Sequence, residues 1–183
     1  ENYFSKIIEV LGKDNELGIT GGIIYQLLDN NFIDKGNNIN SVAGAVQMFR
    51  KECYETIGGY KNLKYGGIDA VAEVMARMNG YKVRSVEGLI VKHHRIVGSA
   101  NGSYCKMYFR YGQREYFRGT MFFFWFLKAL NSIKNRPLLF GSICMISGFI
   151  YAYFFQKKIF TLSQDVTNYT KKEQHIRIKK YIH

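Results

Sequence analysis

The sequence predicts an α/β fold followed by helices that meet a membrane, and three observations predict it. Apolar and glycine-containing runs of strand type alternate with helical patterns through the first hundred residues. After Tyr104 the texture changes to aromatic side chains mixed with Arg and Lys. Leu138 to Phe155 is then a run of eighteen residues without a charge.

Tyr3, Phe4, Ile7, Ile8 and Leu11 recur at helical spacing, so Tyr3 to Leu11 reads as an amphipathic helix ended by Gly12 and the polar Lys13-Asp14-Asn15. Leu17 to Tyr25 reads as a buried strand whose Gly21-Gly22 lets another backbone approach closely. Asp29 to Asn40 is polar and rich in Asn, and is expected to be a loop. Val42 to Arg50 is expected as a second strand, and Lys51 to Ile57 as a short helix stopped by Gly58-Gly59. Gly66-Gly67 marks a tight turn. Asp69 to Asn79 is a helix with an apolar stripe of Val71, Val74, Met75 and Met78, closed by Gly80. Tyr81 to Val86 and Leu89 to Lys92 complete the strand set.

The later segments differ in kind. Tyr104 to Leu130 has the amphipathic, aromatic-and-cationic pattern of a headgroup interface. As a helix, Leu138 to Phe155 would reach about 27 Å, slightly short of a ~30 Å hydrocarbon core. A single span would place the basic tail opposite the first part of the chain, against the positive-inside tendency. A hairpin is therefore expected: Phe117 to Leu130 enters, Asn131 to Pro137 turns and Leu138 to Phe155 returns. The competing reading is a buried helical hairpin of a soluble dimer.

The formal charge is +12, with seven Lys/Arg against two acids from Lys157 to His183. An excess placed just after the most apolar run suits an anionic membrane surface. Nucleic acid is not expected as a partner, because the aromatics sit in apolar runs and do not alternate with basic residues on a strand platform. Cys53, Cys105 and Cys144 match no zinc or redox spacing and read as free thiols.

From Val42 to Arg95 the chain carries an ordered series of weak motifs. They are Val42-Ala43-Gly44-Ala45-Val46-Gln47-Met48-Phe49-Arg50, Ile57-Gly58-Gly59-Tyr60, Tyr65-Gly66-Gly67-Ile68-Asp69, Ala76-Arg77-Met78-Asn79-Gly80-Tyr81-Lys82-Val83 and Val91-Lys92-His93-His94-Arg95. In this order and spacing they resemble the acceptor-side half of family 2 glycosyltransferases of the GT-A type. The resemblance implies a partial GT-A sheet in residues 1–103, the C-terminal half of the catalytic domain. Amphipathic and membrane-embedded helices would follow in 104–156 and a basic tail in 157–183. It also implies transfer of a sugar from a nucleotide-diphosphate donor to a hydroxyl of a surface glycan or lipid-linked acceptor, with inversion, at the cytoplasmic face of the cell membrane.

The resemblance places the general base at Asp69. An inverting transfer needs a carboxylate to take the proton of the attacking hydroxyl, and a helix N-terminus keeps a carboxylate ionised. The patterning alone favours Asp69 as only an N-cap, a role compatible with that of base, and the resemblance is what favours the base. Many relatives have a second acid where this chain has Ile68. Gly66 and Gly67 would shape the acceptor site. Glu73, one turn beyond Asp69, would orient the base or bind acceptor hydroxyls, or be a solvated helix carboxylate. The resemblance also implies a divalent cation, Mn²⁺ or Mg²⁺, with His93 or His94 among its ligands. Strand alternation lets only one of the two face the site, and His93 is preferred. Arg95 would contact the diphosphate, or be a solvated charge.

The family's N-terminal donor-binding unit and its Asp-x-Asp are not in this sequence. The chain is therefore expected to be a fragment, inactive alone. The alternative is a non-catalytic membrane-bound interaction module or split-gene remnant.

Overall fold

The computed structural model describes residues 2–28, 31–34, 38–94, 104–131, 138–159 and 161–182. The chain forms two compact units. The first comprises Glu1–Lys61 with Ile68–Ser99, and the second Asn62–Gly67 with Ala100–His183.

The first unit is mixed α/β. Helix α1 (Tyr3–Lys13) leads into the long strand β1 (Leu17–Leu28), and β2 (Asn31–Asp34) returns antiparallel against its end, with Tyr25 opposite Asp34. A 3-10 turn at Gly44–Val46 precedes the two-residue strand β3 (Met48–Phe49). Helices α2 (Lys51–Ile57) and α3 (Ile68–Met78) follow, then β4 (Lys82–His93). Strand β1 is central: antiparallel to β2 and β3, and parallel to β4 from Leu17↔Lys82 to Gln26↔His93.

Three sequence expectations change here. The loop expected over 29–40 contains β2, whose Phe32 and Ile33 pair with Leu27 and Gln26. The strand expected over Val42 to Arg50 is reduced to β3. The Val42 N–H is taken by the Glu73 carboxylate at 2.7 Å and the Val46 N–H by the Ala43 carbonyl, so neither donor can serve a ladder. The two strands expected around Val86 and Leu89 are one, β4, with a bulge. Between Gly21↔Ser85 and Ile23↔Ile90, β1 advances two residues and β4 five, and Gly88 takes φ 75° inside the excess.

The close approach expected at Gly21-Gly22 is present. A Cβ on Gly21 would collide with the Val46 carbonyl oxygen, and one on Gly22 with that of Leu89. Ile7, Leu17, Ile19, Cys53, Val71, Ala72 and Val83 are buried in this unit.

The second unit is helical. It holds α4 (Tyr104–Phe117), α5 (Phe122–Asn131), α6 (Leu138–Phe155) and α7 (Gln164–Ile182). The hairpin reading expected α6 to return along α5, and Ser142 Oγ does donate to the Ala129 carbonyl. The closest approach of α6, however, is to α4. There a Cβ on Gly112 would meet the Met145 carbonyl, and a Cβ on Gly148 the Phe109 carbonyl. Trp125, Met145 and Phe149 form the buried centre, with Tyr108, Tyr111 and Tyr116 packed on it. The basic tail expected after Lys157 contains α7, which buries Val166, Thr167, Thr170 and Gln174. Gln174 Oε1 accepts the Met121 N–H at 2.9 Å.

Among the described residues no helix is long and apolar enough to cross a membrane. Large apolar side chains are nonetheless exposed on α5 and α6, among them Phe123, Phe140, Ile143, Phe154 and Phe155.

Candidate functional site

The first unit gathers Asp69, Glu73, Gln47, Tyr60, Ser41 and Gly44. The reason lies in α3, whose first two turns carry Asp69 and Glu73 four residues apart on one side. The buried arc of α3 runs continuously from Val71 to Ala76 and so includes Glu73, only 4 % exposed. A carboxylate that deep requires donors. Ser41 Oγ–H lies 3.0 Å from both its oxygens, Val42 N–H donates at 2.7 Å, Gln47 Nε2 at 3.3 Å, and Arg77 Nη1 stands 3.6 Å away. Burial still pushes the Glu73 carboxyl above its usual value, against the lowering by Val42, Ser41, Arg77 and Gln47. Of the roles weighed for Glu73, a solvated helix carboxylate is excluded by this burial. Its oxygens face the chain's own donors, which is the geometry of a residue that orients its neighbours.

Gln47 connects the two acids. Its Nε2 faces the Val42 carbonyl, the Asp69 carbonyl and Glu73 Oε1, at 3.0, 3.3 and 3.3 Å. Its Oε1 accepts from the Tyr60 hydroxyl at 2.8 Å. Tyr60 is raised above its ordinary value first by burial, then by the charges of Asp69, Tyr54 and Glu73. Phe49, Tyr54 and Tyr60 meet edge-to-face around it, with centroids 5.3 to 6.4 Å apart.

Asp69 itself is half-exposed in the first turn of α3. Its carboxylate lies against Gly44, where an added Cβ would stand 2.8 Å from Oδ2. Among the described residues it takes no hydrogen bond and no ion pair, so it caps no helix N–H there. The site thus holds one committed carboxylate and one uncommitted, partly solvated carboxylate. Chemically, the second can accept a proton from a hydroxyl brought to it. Gly44, Gln47 and Tyr60 stand in the motif series of the sequence but were given no role in the site there. Only Gln47 left a signal there, as a lone polar residue in an apolar stretch.

The other expected residues lie elsewhere. His93 ends β4 opposite Gln26, five positions along β1 from Gly21, whose partner Ser85 donates to the Ser41 carbonyl. His93 therefore stands five positions along β1 from the point where the sheet meets Ser41. His93 is half-buried, and its Nδ1 is buried with no hydrogen-bond partner among the described residues. His94 is exposed and sits edge-to-face on Phe32, 5.0 Å between centroids. Among the described residues no group of three His, Cys, Asp or Glu can hold a metal ion. Arg95 lies outside the described residues. Gly66 and Gly67 form the expected turn, with φ of 83° and 85°. They belong to the second unit, where Gly67 packs on the Arg118 and Arg114 stems.

No family model matches the chain, and neither a curated protein nor a solved structure matches it.

Proposed function

We propose that this chain is the acceptor-side part of a membrane-associated family 2 glycosyltransferase of the GT-A type, with Asp69 as general base. The reaction is transfer of a sugar from a nucleotide-diphosphate donor to a hydroxyl of a surface glycan or lipid-linked acceptor, with inversion. The observation that supports it most is the Asp69 carboxylate: uncommitted, partly solvated, and fixed by a Gln47 bond to its own backbone carbonyl.

In this reading the acceptor hydroxyl gives its proton to Asp69. Its oxygen attacks the anomeric carbon, and the bond from that carbon to the diphosphate breaks. Glu73, held by Ser41, Val42 and Gln47, keeps Gln47 and therefore Asp69 in place. A divalent cation, Mn²⁺ or Mg²⁺, would offset the charge on the leaving diphosphate. His93 is the ligand this chain offers, and the remaining ligands belong to the donor-binding half. Arg95 and the Gly66-Gly67 turn keep the roles implied by the resemblance, on the diphosphate and the acceptor.

The membrane reading rests on the exposed apolar side chains of α5 and α6, beside the exposed Lys157 and Lys158. Attachment at the cytoplasmic face would confine enzyme and lipid-linked acceptor to one surface.

The test supplies radiolabelled nucleotide-diphospho-sugars, Mn²⁺ and a membrane lipid extract to the 183-residue chain and to the intact protein. Transfer by the intact protein, with none by the chain alone, is expected. Robust turnover by the chain alone, or no transfer by the intact protein, would overturn the reading. The second result would leave the non-catalytic membrane module as the account.

A further inference from the structure

The second unit contains a cavity of about 400 Å³ lined by Lys64, Tyr65, Met107, Arg110, Tyr111 and Arg114. Three of these six side chains are cations and none is an acid. Met107, Arg110, Tyr111 and Arg114 recur at helical spacing and share one face of α4. Two like charges at i and i+4 oppose helix formation, so folding alone does not favour the pair.

The way these cations are held is informative. The Arg114 guanidinium lies over the Tyr111 ring, 4.5 Å from its centroid, and Lys64 Nζ lies 5.5 Å from that of Tyr65. Aromatic faces position a cation without neutralising it. Arg114 Nε is buried and has no hydrogen-bond partner among the described residues. The carboxylate next to Arg114 in the chain, Glu115, is already committed. It accepts from Arg118 Nη1 at 2.8 Å and from the Thr120 hydroxyl at 2.9 Å.

The frame around the cavity is fixed by neutral contacts. Gln156 Nε2 donates to the Tyr65 hydroxyl at 2.8 Å and accepts through Oε1 from Gln113 Nε2 at 3.1 Å. Tyr65 also packs on Phe117. Gly67 lets the chain come against the Arg114 stem, where a Cβ would stand 3.3 Å from Cγ. The result is a pre-formed pocket whose unmet requirement is negative charge and hydrogen-bond acceptors.

We infer that this cavity binds a phosphate or diphosphate group, with Arg110, Arg114 and Lys64 as its donors. Guanidinium forks match phosphate oxygens, and Arg114 Nε has a donor to spare. Met107 and the two tyrosine rings leave part of the wall apolar, which suits a phosphate carried on an organic group. The inference does not depend on glycosyl transfer. The phosphate can come from a lipid headgroup or from a soluble phosphate compound.

The experiment is a titration of the full chain with inorganic pyrophosphate, followed by isothermal calorimetry. It is repeated in the presence of phosphatidylcholine vesicles with and without phosphatidic acid. Arg110→Gln and Arg114→Gln remove the proposed donors one at a time, and Lys171→Gln removes an equal charge from α7. Arg110 is exposed, so its variant folds as the parent does. Saturable binding that falls about tenfold for each Arg variant, as loss of a charge-assisted hydrogen bond entails, and is unchanged in Lys171→Gln, is expected. Competition by phosphatidic acid vesicles then assigns the headgroup as source, and its absence assigns a soluble phosphate. No saturable binding, or equal losses for Lys171→Gln and the Arg variants, would overturn the site in favour of diffuse charge.

Discussion

Replacing Glu73 separates orientation from catalysis, because its carboxylate is buried and fully used inside the chain. Glu73→Ala deletes the acceptor for the Val42 N–H, the Ser41 hydroxyl and Gln47, and removes the carboxylate beside Arg77. One orphaned buried N–H costs about 1–3 kcal/mol, and breaking a whole buried charged network about 3–5 kcal/mol. The larger figure is expected. Glu73→Gln keeps an oxygen for Val42 and Ser41 and removes the charge that burial disfavours, so its effect near neutral pH is expected to be small, far below that of Glu73→Ala. The pH dependence is the sharper reading. The folded Glu73 carboxyl lies above 4.5, its unfolded value. Between 4.5 and that raised value the folded state binds the extra proton, so stability falls as pH rises through the window. Wild type should therefore gain stability relative to Glu73→Gln as pH is lowered from neutral toward 4.5. Urea unfolding followed by circular dichroism, with exchange of the Val42 amide as the local probe, measures both effects. A Glu73→Ala loss below about 1 kcal/mol, or a wild type that gains no stability relative to Glu73→Gln as pH is lowered, would refute the buried network.

Gly148→Leu should cost about 3 kcal/mol or more, because its Cβ has only the Phe109 backbone to displace, and Trp125 fluorescence should report the loosened unit. Phe154→Ser with Phe155→Ser removes two side chains that are 69 % and 75 % exposed. Each forfeits about 1.5–3 kcal/mol of apolar transfer, so flotation with liposomes should drop by at least tenfold, independent of salt. Burial pushes the Cys53 thiol up to about 11, with Arg50 only partly opposing it. Iodoacetamide near neutral pH should therefore spare Cys53 and label the exposed Cys105 first, as peptide mapping would show.

Much of the fold was readable where local chemistry decides it. Helices α1 and α3 carry a periodic apolar stripe and α6 an uncharged run, and α2 ends as its glycines require. Gly58 is left-handed and donates to Glu55, and Gly59 donates to Tyr54. The unread parts depend on residues distant in sequence. The stretch after Val42 fails as a strand because Glu73, 31 residues on, takes its donor. The preference of α6 for α4 is set by Gly112 and Gly148, whose role is to be absent from the space between two backbones. The buried face of α7 has one apolar residue, Val166, beside Thr167, Thr170 and Gln174, so no apolar periodicity marked it. Within the site, the position of Asp69 at the start of a helix followed from the chain pattern. Its commitment to neither cap nor salt bridge did not, since that depends on where Gly44 and Gln47 come to rest.

The most direct measurement is single-turnover sugar transfer by the intact protein, wild type against Asp69→Asn, with folding checked by circular dichroism. A general base contributes about 10²- to 10⁴-fold, so a loss of that size in the chemical step, with donor binding unchanged, is expected. An Asp69→Asn protein that transfers sugar at the wild-type rate would contradict the central claim.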